Sequence, residues 1–106
     1  MVNEILAAAG IQARGSRFVK PPAGNYAVWF DSITAEGADG VPPQIFTHDV
    51  TIELYTPKPD PAAEKALAGA IGARGIEWTM QDRLWIASEK MYQIIFEFSY
   101  IEKRRS

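Results

Sequence analysis

Gln44-Ile-Phe-Thr-His-Asp-Val-Thr-Ile-Glu-Leu-Tyr-Thr56 decides the fold class. Val50, Ile52 and Leu54 fall on one side of an extended chain, and Asp49, Thr51, Glu53 and Tyr55 on the other. A period of two with one apolar and one polar side is a strand that covers a core and faces water behind it. Pro57-Lys-Pro-Asp-Pro61 then stops the strand. Asp60 is a good helix N-cap and Pro61 suits the first helical position. Ala63, Ala66, Leu67, Ala70 and Ile71 give the helix Pro61–Arg74 a narrow apolar stripe, with Gly75 just past its end.

Working outward, Tyr26-Ala-Val-Trp-Phe-Asp31 is aromatic and β-branched and predicts a strand over Tyr26–Ser32. Glu36–Pro43, with Gly37, Asp39-Gly40 and Pro42-Pro43, predicts a mobile loop between the first two strands. Downstream, Ile76, Trp78 and Met80 alternate with Glu77 and Thr79, giving a strand over Ile76–Met80. Gln81-Asp-Arg83 marks a turn or bulge before Leu84–Ala87, and Ser88-Glu-Lys90 a second turn. Met91–Tyr100 is the last strand, with Tyr92, Ile94, Phe96, Phe98 and Tyr100 on one side and residues 101–106 a frayed tail. Val2, Ile5, Leu6 and Ala9 have helical spacing, so residues 2–13 form an N-terminal helix that Gly10 or Gly15 closes. Arg14–Asn25 is then a locally basic loop. Ile11-Gln-Ala-Arg-Gly15 echoes Ile71-Gly-Ala-Arg-Gly75, and both look like helix ends with a glycine stop. The expectation is a single α+β domain over 1–106: a mixed or antiparallel sheet of about four to five strands flanked by two helices, in the order α-β-β-α-β-β-β.

At 106 residues and 47% hydrophobic content the chain has the makings of one globular core. A net charge of −2 argues against broad attraction to nucleic acid or acidic membrane. No apolar run approaches a membrane span, and Val2–Ala9 lacks the basic flank of a signal peptide, so a soluble protein made in the cytosol is expected. The absence of cysteine excludes disulfides and thiolate metal sites.

Candidate chemistry is sparse. His48 adjoins Asp49, but neighbours on a strand point to opposite faces and cannot orient one another. One histidine without cysteine is poor material for zinc. Asp31, Glu36, Asp39 and Asp49 could gather oxygen ligands near the first hairpin, yet their spacing fits no cation loop, and Asp39-Gly40 is ordinary turn chemistry. No catalytic residue, cofactor or metal is therefore expected. The aromatic residues are more informative. Trp29 lies opposite the face shared by Tyr26, Val28 and Phe30, and Tyr55 lies on the polar face of its strand. Such residues either form a second packed layer or anchor a protein–protein contact. Trp29, Tyr55, Glu36, Gly37, Asp39 and Gly40 are the candidate interface.

Tyr26-Ala-Val-Trp-Phe-Asp31, His48-Asp-Val-Thr-Ile-Glu-Leu-Tyr55, Pro57-Lys-Pro-Asp60 with Glu64, Asp82-Arg-Leu-Trp85 and Tyr92-Gln-Ile-Ile-Phe-Glu-Phe98 together resemble the phage and prophage tail-completion or tail-terminator family of the head–tail joining region. The resemblance spans roughly residues 24 to 100. It implies a sheet flanked by helices and a ring of identical subunits, usually hexameric, that caps the tail tube and meets the head connector. It implies no cofactor and no catalytic residues, a place in the virion tail, and assembly in the bacterial host cytoplasm. The chain is short for a terminator, which keeps other neck or minor tail roles, or a small stand-alone regulatory module, as alternatives.

Overall fold

A computed structural model describes residues 1–15, 22–37 and 45–103. The elements are α1 (Val2–Ala8), β1 (Gln12–Gly15), β2 (Tyr26–Glu36), β3 (Ile45–Thr56), α2 (Pro61–Gly72), β4 (Trp78–Met80), β5 (Leu84–Ile86) and β6 (Met91–Lys103). The α+β class is the expected one, with one strand beyond the expected five. The sheet is mixed, in the order β1-β2-β3-β6-β4, with β5 also on β6. β2, β3 and β6 form an antiparallel centre, and β1 lies parallel to β2.

The N-terminal helix is shorter than residues 2–13. Ala9 caps it, Gly10 turns to φ 72°, and the amides of Gly10 and Ile11 donate to the carbonyls of Ala7 and Leu6. These paired bonds form a Schellman stop, so Gly10 ends the helix and not Gly15. The released chain, Gln12–Gly15, adds β1 beside Tyr26–Trp29 where a helix end and a loop were expected. The helix after Pro61 keeps its expected start. Asp60 accepts from the Ala63 amide at 3.1 Å and from Asn25 Nδ2 at 2.9 Å. Hydrogen bonding to Ala63 first, and then to Asn25, holds the Asp60 carboxyl below its ordinary pKa. α2 ends at Gly72 with Ala73 as its cap, and Gly75 at φ 73° turns the chain away.

Strand lengths depart from expectation at the far end of the first hairpin. β2 continues past Ser32 to Glu36, because each added residue finds a partner on β3, up to Glu36 opposite Ile45. β6 likewise runs past Tyr100 to Lys103, paired with Ile45, so 101–103 is strand rather than frayed tail. β4 and β5 are one edge strand broken by a bulge. Met80 faces Phe96 and Leu84 faces Gln93, so four steps on one strand oppose three on the other. Arg83, in the bulge, donates to Glu64 of α2 through Nε at 3.0 Å and a terminal nitrogen at 2.8 Å.

Both helices contribute to a core on one face of the sheet. Val2, Ile5 and Leu6 of α1 and Leu67 and Ile71 of α2 pack with Ala27, Val50, Ile52, Leu54, Ile94, Phe96 and Phe98. The alternation of β3 is as read: His48, Val50, Ile52, Leu54 and Thr56 are buried, and the residues between them are not.

Candidate functional site

The three central strands reach beyond the helices. Their pairing sets residues in rows across the sheet. Ala27–Leu54–Ile94 and Trp29–Ile52–Phe96 lie in the core. Asp31–Val50–Phe98, Ile33–His48–Tyr100 and Ala35–Phe46–Glu102 lead outward on the same face. On the opposite face Thr34–Thr47–Ile101 and Glu36–Ile45–Lys103 form the end of the arm.

His48 holds this arm together. It is 5% exposed. Its Nδ1 lies 2.7 Å from Asp31 Oδ2 on β2, and its Nε2 lies 2.8 Å from Glu102 Oε1 on β6. The imidazole stacks on Tyr100, with centroids 4.3 Å apart and planes at 8°. Only the imidazolium can donate from both nitrogens. Burial works against the charge, but the hydrogen bonds to Asp31 and Glu102, and their charges, outweigh it and raise the pKa of His48 above its ordinary 6.5. Burial first, and then the charges of Asp31 and Glu102, raise the Tyr100 phenol. A cation clasped between carboxylates from two flanking strands ties those strands to β3. Both ring nitrogens are engaged by carboxylates of the same chain. Among the described residues no group of three or more metal-ligating side chains is arranged to hold an ion.

Sequence reasoning judged His48 only against its neighbour Asp49. Those two do diverge, with His48 buried and Asp49 exposed and accepting from the Ser99 hydroxyl. The partners of His48 are 17 residues before it and 54 after it, and only the strand register brings them near. Asp31 and Asp49 fall on opposite faces, so these two do not come together as cation ligands, in line with the reading of their spacing as incidental.

The candidate interface residues are spread apart. Trp29 faces the core side and packs against the buried cluster. Its alternation against Tyr26, Val28 and Phe30 is as read, but the helices cover the Trp29 side. Tyr55 lies on the other face, stacked on Tyr26 at 5.1 Å, where its hydroxyl donates to Glu53 and accepts from Gln93. Glu36 ends β2 and Gly37 follows it, seven and eight residues beyond Trp29. Asp39 and Gly40, with most of the loop expected to be mobile, lie outside the described residues. Sequence reasoning missed the exposed apolar residues of the arm, Ile33 (52% exposed) and Ile101 (64%). Their signal was β-branched side chains in stretches read as the end of a strand and the start of a tail. Among the described residues no helix is long and apolar enough to cross a membrane.

No protein-family model matches the chain, and no curated protein matches it. Among solved structures it is similar to a chain of the virion of a native gene transfer agent particle, with a TM-score of 0.60 at 16% identity, over 93% of this chain and 84% of that one. At that identity the likeness establishes a shared fold.

Proposed function

We propose that this chain is a non-catalytic structural subunit of a phage-like particle, and within that class a ring-forming tail terminator or completion protein at the head–tail junction. The observation that carries the reading is the fold shared with a gene transfer agent virion chain over 93% of the present one. Two features support it. The one charged cluster described above ties strands together, with both ring nitrogens of His48 engaged. Large apolar side chains stand exposed on both faces of the arm and on the broken edge, Phe30, Ile33, Ile101 and Leu84 among them, as in a subunit whose surface becomes covered on assembly. On this reading the partners are other copies of the chain, the tail tube protein and the head–tail connector. The arm end at Glu36 and Gly37, the loop carrying Asp39 and Gly40, and the Tyr55 face are the contact regions, with Trp29 bracing the arm from the core side. The protein resides in the virion tail after assembly in the host cytoplasm.

The test adds purified protein to tail tubes of its own phage, followed by imaging. A ring-shaped density on one tube end is the expected result. Tubes without added density, with the protein left unbound and monomeric by light scattering, would replace this reading with a small regulatory module.

A further inference from the structure

Among the described residues the arm has two strand edges with no strand beside them. β1 covers the outer edge of β2 only from Tyr26 to Trp29, so among the described residues no strand pairs with Phe30–Glu36 on that side. β4 covers the outer edge of β6 only from Phe96 to Phe98, so none pairs with Ser99–Lys103 beyond it. A groove of about 800 Å³, with Ser99, Tyr100 and Ile101 on one wall and Gly75, Ile76 and Glu77 on the other, leaves space beside the β6 edge. Unpaired strand edges are templates for another strand unless they are blocked.

We infer that the β6 edge of one copy pairs with the β2 edge of the next, so that the sheet continues from subunit to subunit. The occupant is a second copy because the two edges match each other. β2 and β6 are both antiparallel to β3, so they run the same way and both end at the arm tip. A rotation about an axis along the strands keeps every tip at one level, and the residues of each row then meet their row-mates on the next copy. Lys103 comes beside Glu36 of the neighbour, an opposite-charge pair on the same face. Ile101 comes beside Thr34, and on the other face the exposed Ile33 meets the Tyr100 ring. The contact is heterologous, one edge against a different edge. A contact of that kind closes into a ring when its rotation divides the full turn evenly and involves no rise, as here with every tip at one level.

The inference rests on the ring reading proposed above, and the experiment separates the two. The chain has no cysteine, so introduced thiols report alone. Thr34→Cys and Ile101→Cys are made singly and together, their melting curves are checked against the parent, and each is treated with a short bis-maleimide on tail tubes. Mixed single variants should cross-link to dimers, each single variant alone should not, and the double variant should climb a ladder to the closed ring. Lys103→Glu should lower the yield of tube-end rings, and Glu36→Lys added to it should restore the yield. Rings on tube ends without mixed cross-links would overturn the edge pairing and leave the ring reading standing. Dimers from either single variant alone would overturn it in favour of a two-fold contact. Absence of both rings and cross-links would overturn both.

Discussion

The same three strands are held in two different ways along their length. In the half beneath the helices, Ala27, Ile52, Leu54, Ile94 and Phe96 are buried apolar side chains, and the cohesion is hydrophobic. In the outer half His48, Asp31 and Glu102, with Tyr100 stacked on the imidazole and still packed against the edge of the cluster, take the place of apolar packing. Backbone pairing is continuous through both halves. The difference teaches that a strand can outrun its hydrophobic layer when a clasped charge ties its neighbours together. It also divides the molecule into a half that supplies stability and a half that presents surface.

The contrast can be broken most directly at Phe96. It is fully buried and central to the core, so Phe96→Ala should destabilise the fold by about 3–5 kcal/mol. Chemical denaturation would show it, and an unchanged midpoint would mean that the sheet face is assigned wrongly.

A smaller effect is expected from His48→Ala, about 2 kcal/mol, the scale of hydrogen bonds to charged groups. Hydrogen exchange should locate the loss in the amides of Ile33–Glu36 and Ile45–Thr47, with those around Ile52 still protected. Loss of protection spread evenly over β3 would erase the distinction between the halves.

The pH dependence sharpens the same point. The pKa of His48 is raised in the folded chain. A raised value means that the contribution is fully present below the unfolded pKa of about 6.5 and is lost as pH rises through the folded value. Melting temperatures of the parent should therefore fall across that window relative to those of His48→Ala. Parallel curves would show that the imidazolium does not support the arm.

Two surface changes should do least. Arg83→Ala removes a partly exposed ion pair with Glu64, in the first turn of α2, and should cost about 1 kcal/mol, loosening the β4–β5 edge alone. Ile101→Ser, at a residue 64% exposed in the free chain, should change stability by no more than about 0.5 kcal/mol. If it lowered stability as much as His48→Ala does, the arm would be a second core and not a surface.

Much of this was legible in the sequence. The alternation of β3 and β6 and the Asp60-Pro61 helix start are local patterns whose physics is carried by adjacent residues, whereas α2 ends at Gly72, two residues before the expected Arg74, with Gly75 turning the chain only afterwards. The far reach of β2 and β6 was not, because the Gly37–Pro43 punctuation and the charged end of the chain masked strands stabilised only by pairing with β3. The His48 cluster was hidden for the same reason: a histidine flanked by threonine and aspartate gives no sign of carboxylates 17 and 54 residues away.

Ile11-Gln-Ala-Arg-Gly15 and Ile71-Gly-Ala-Arg-Gly75 mark the boundary between the two kinds of information. The sequence by itself determined the α+β class, the helix from Pro61, the facing of the central strands and the absence of cysteine chemistry, since each depends on residue type and short spacing. It could not tell these two similar segments apart. The second follows α2 and turns away at Gly75, whereas the first, released early by Gly10, pairs with β2 as a strand. Only the tertiary structure decided that, because a strand edge supplies the hydrogen bonds that Gln12–Gly15 cannot make within itself.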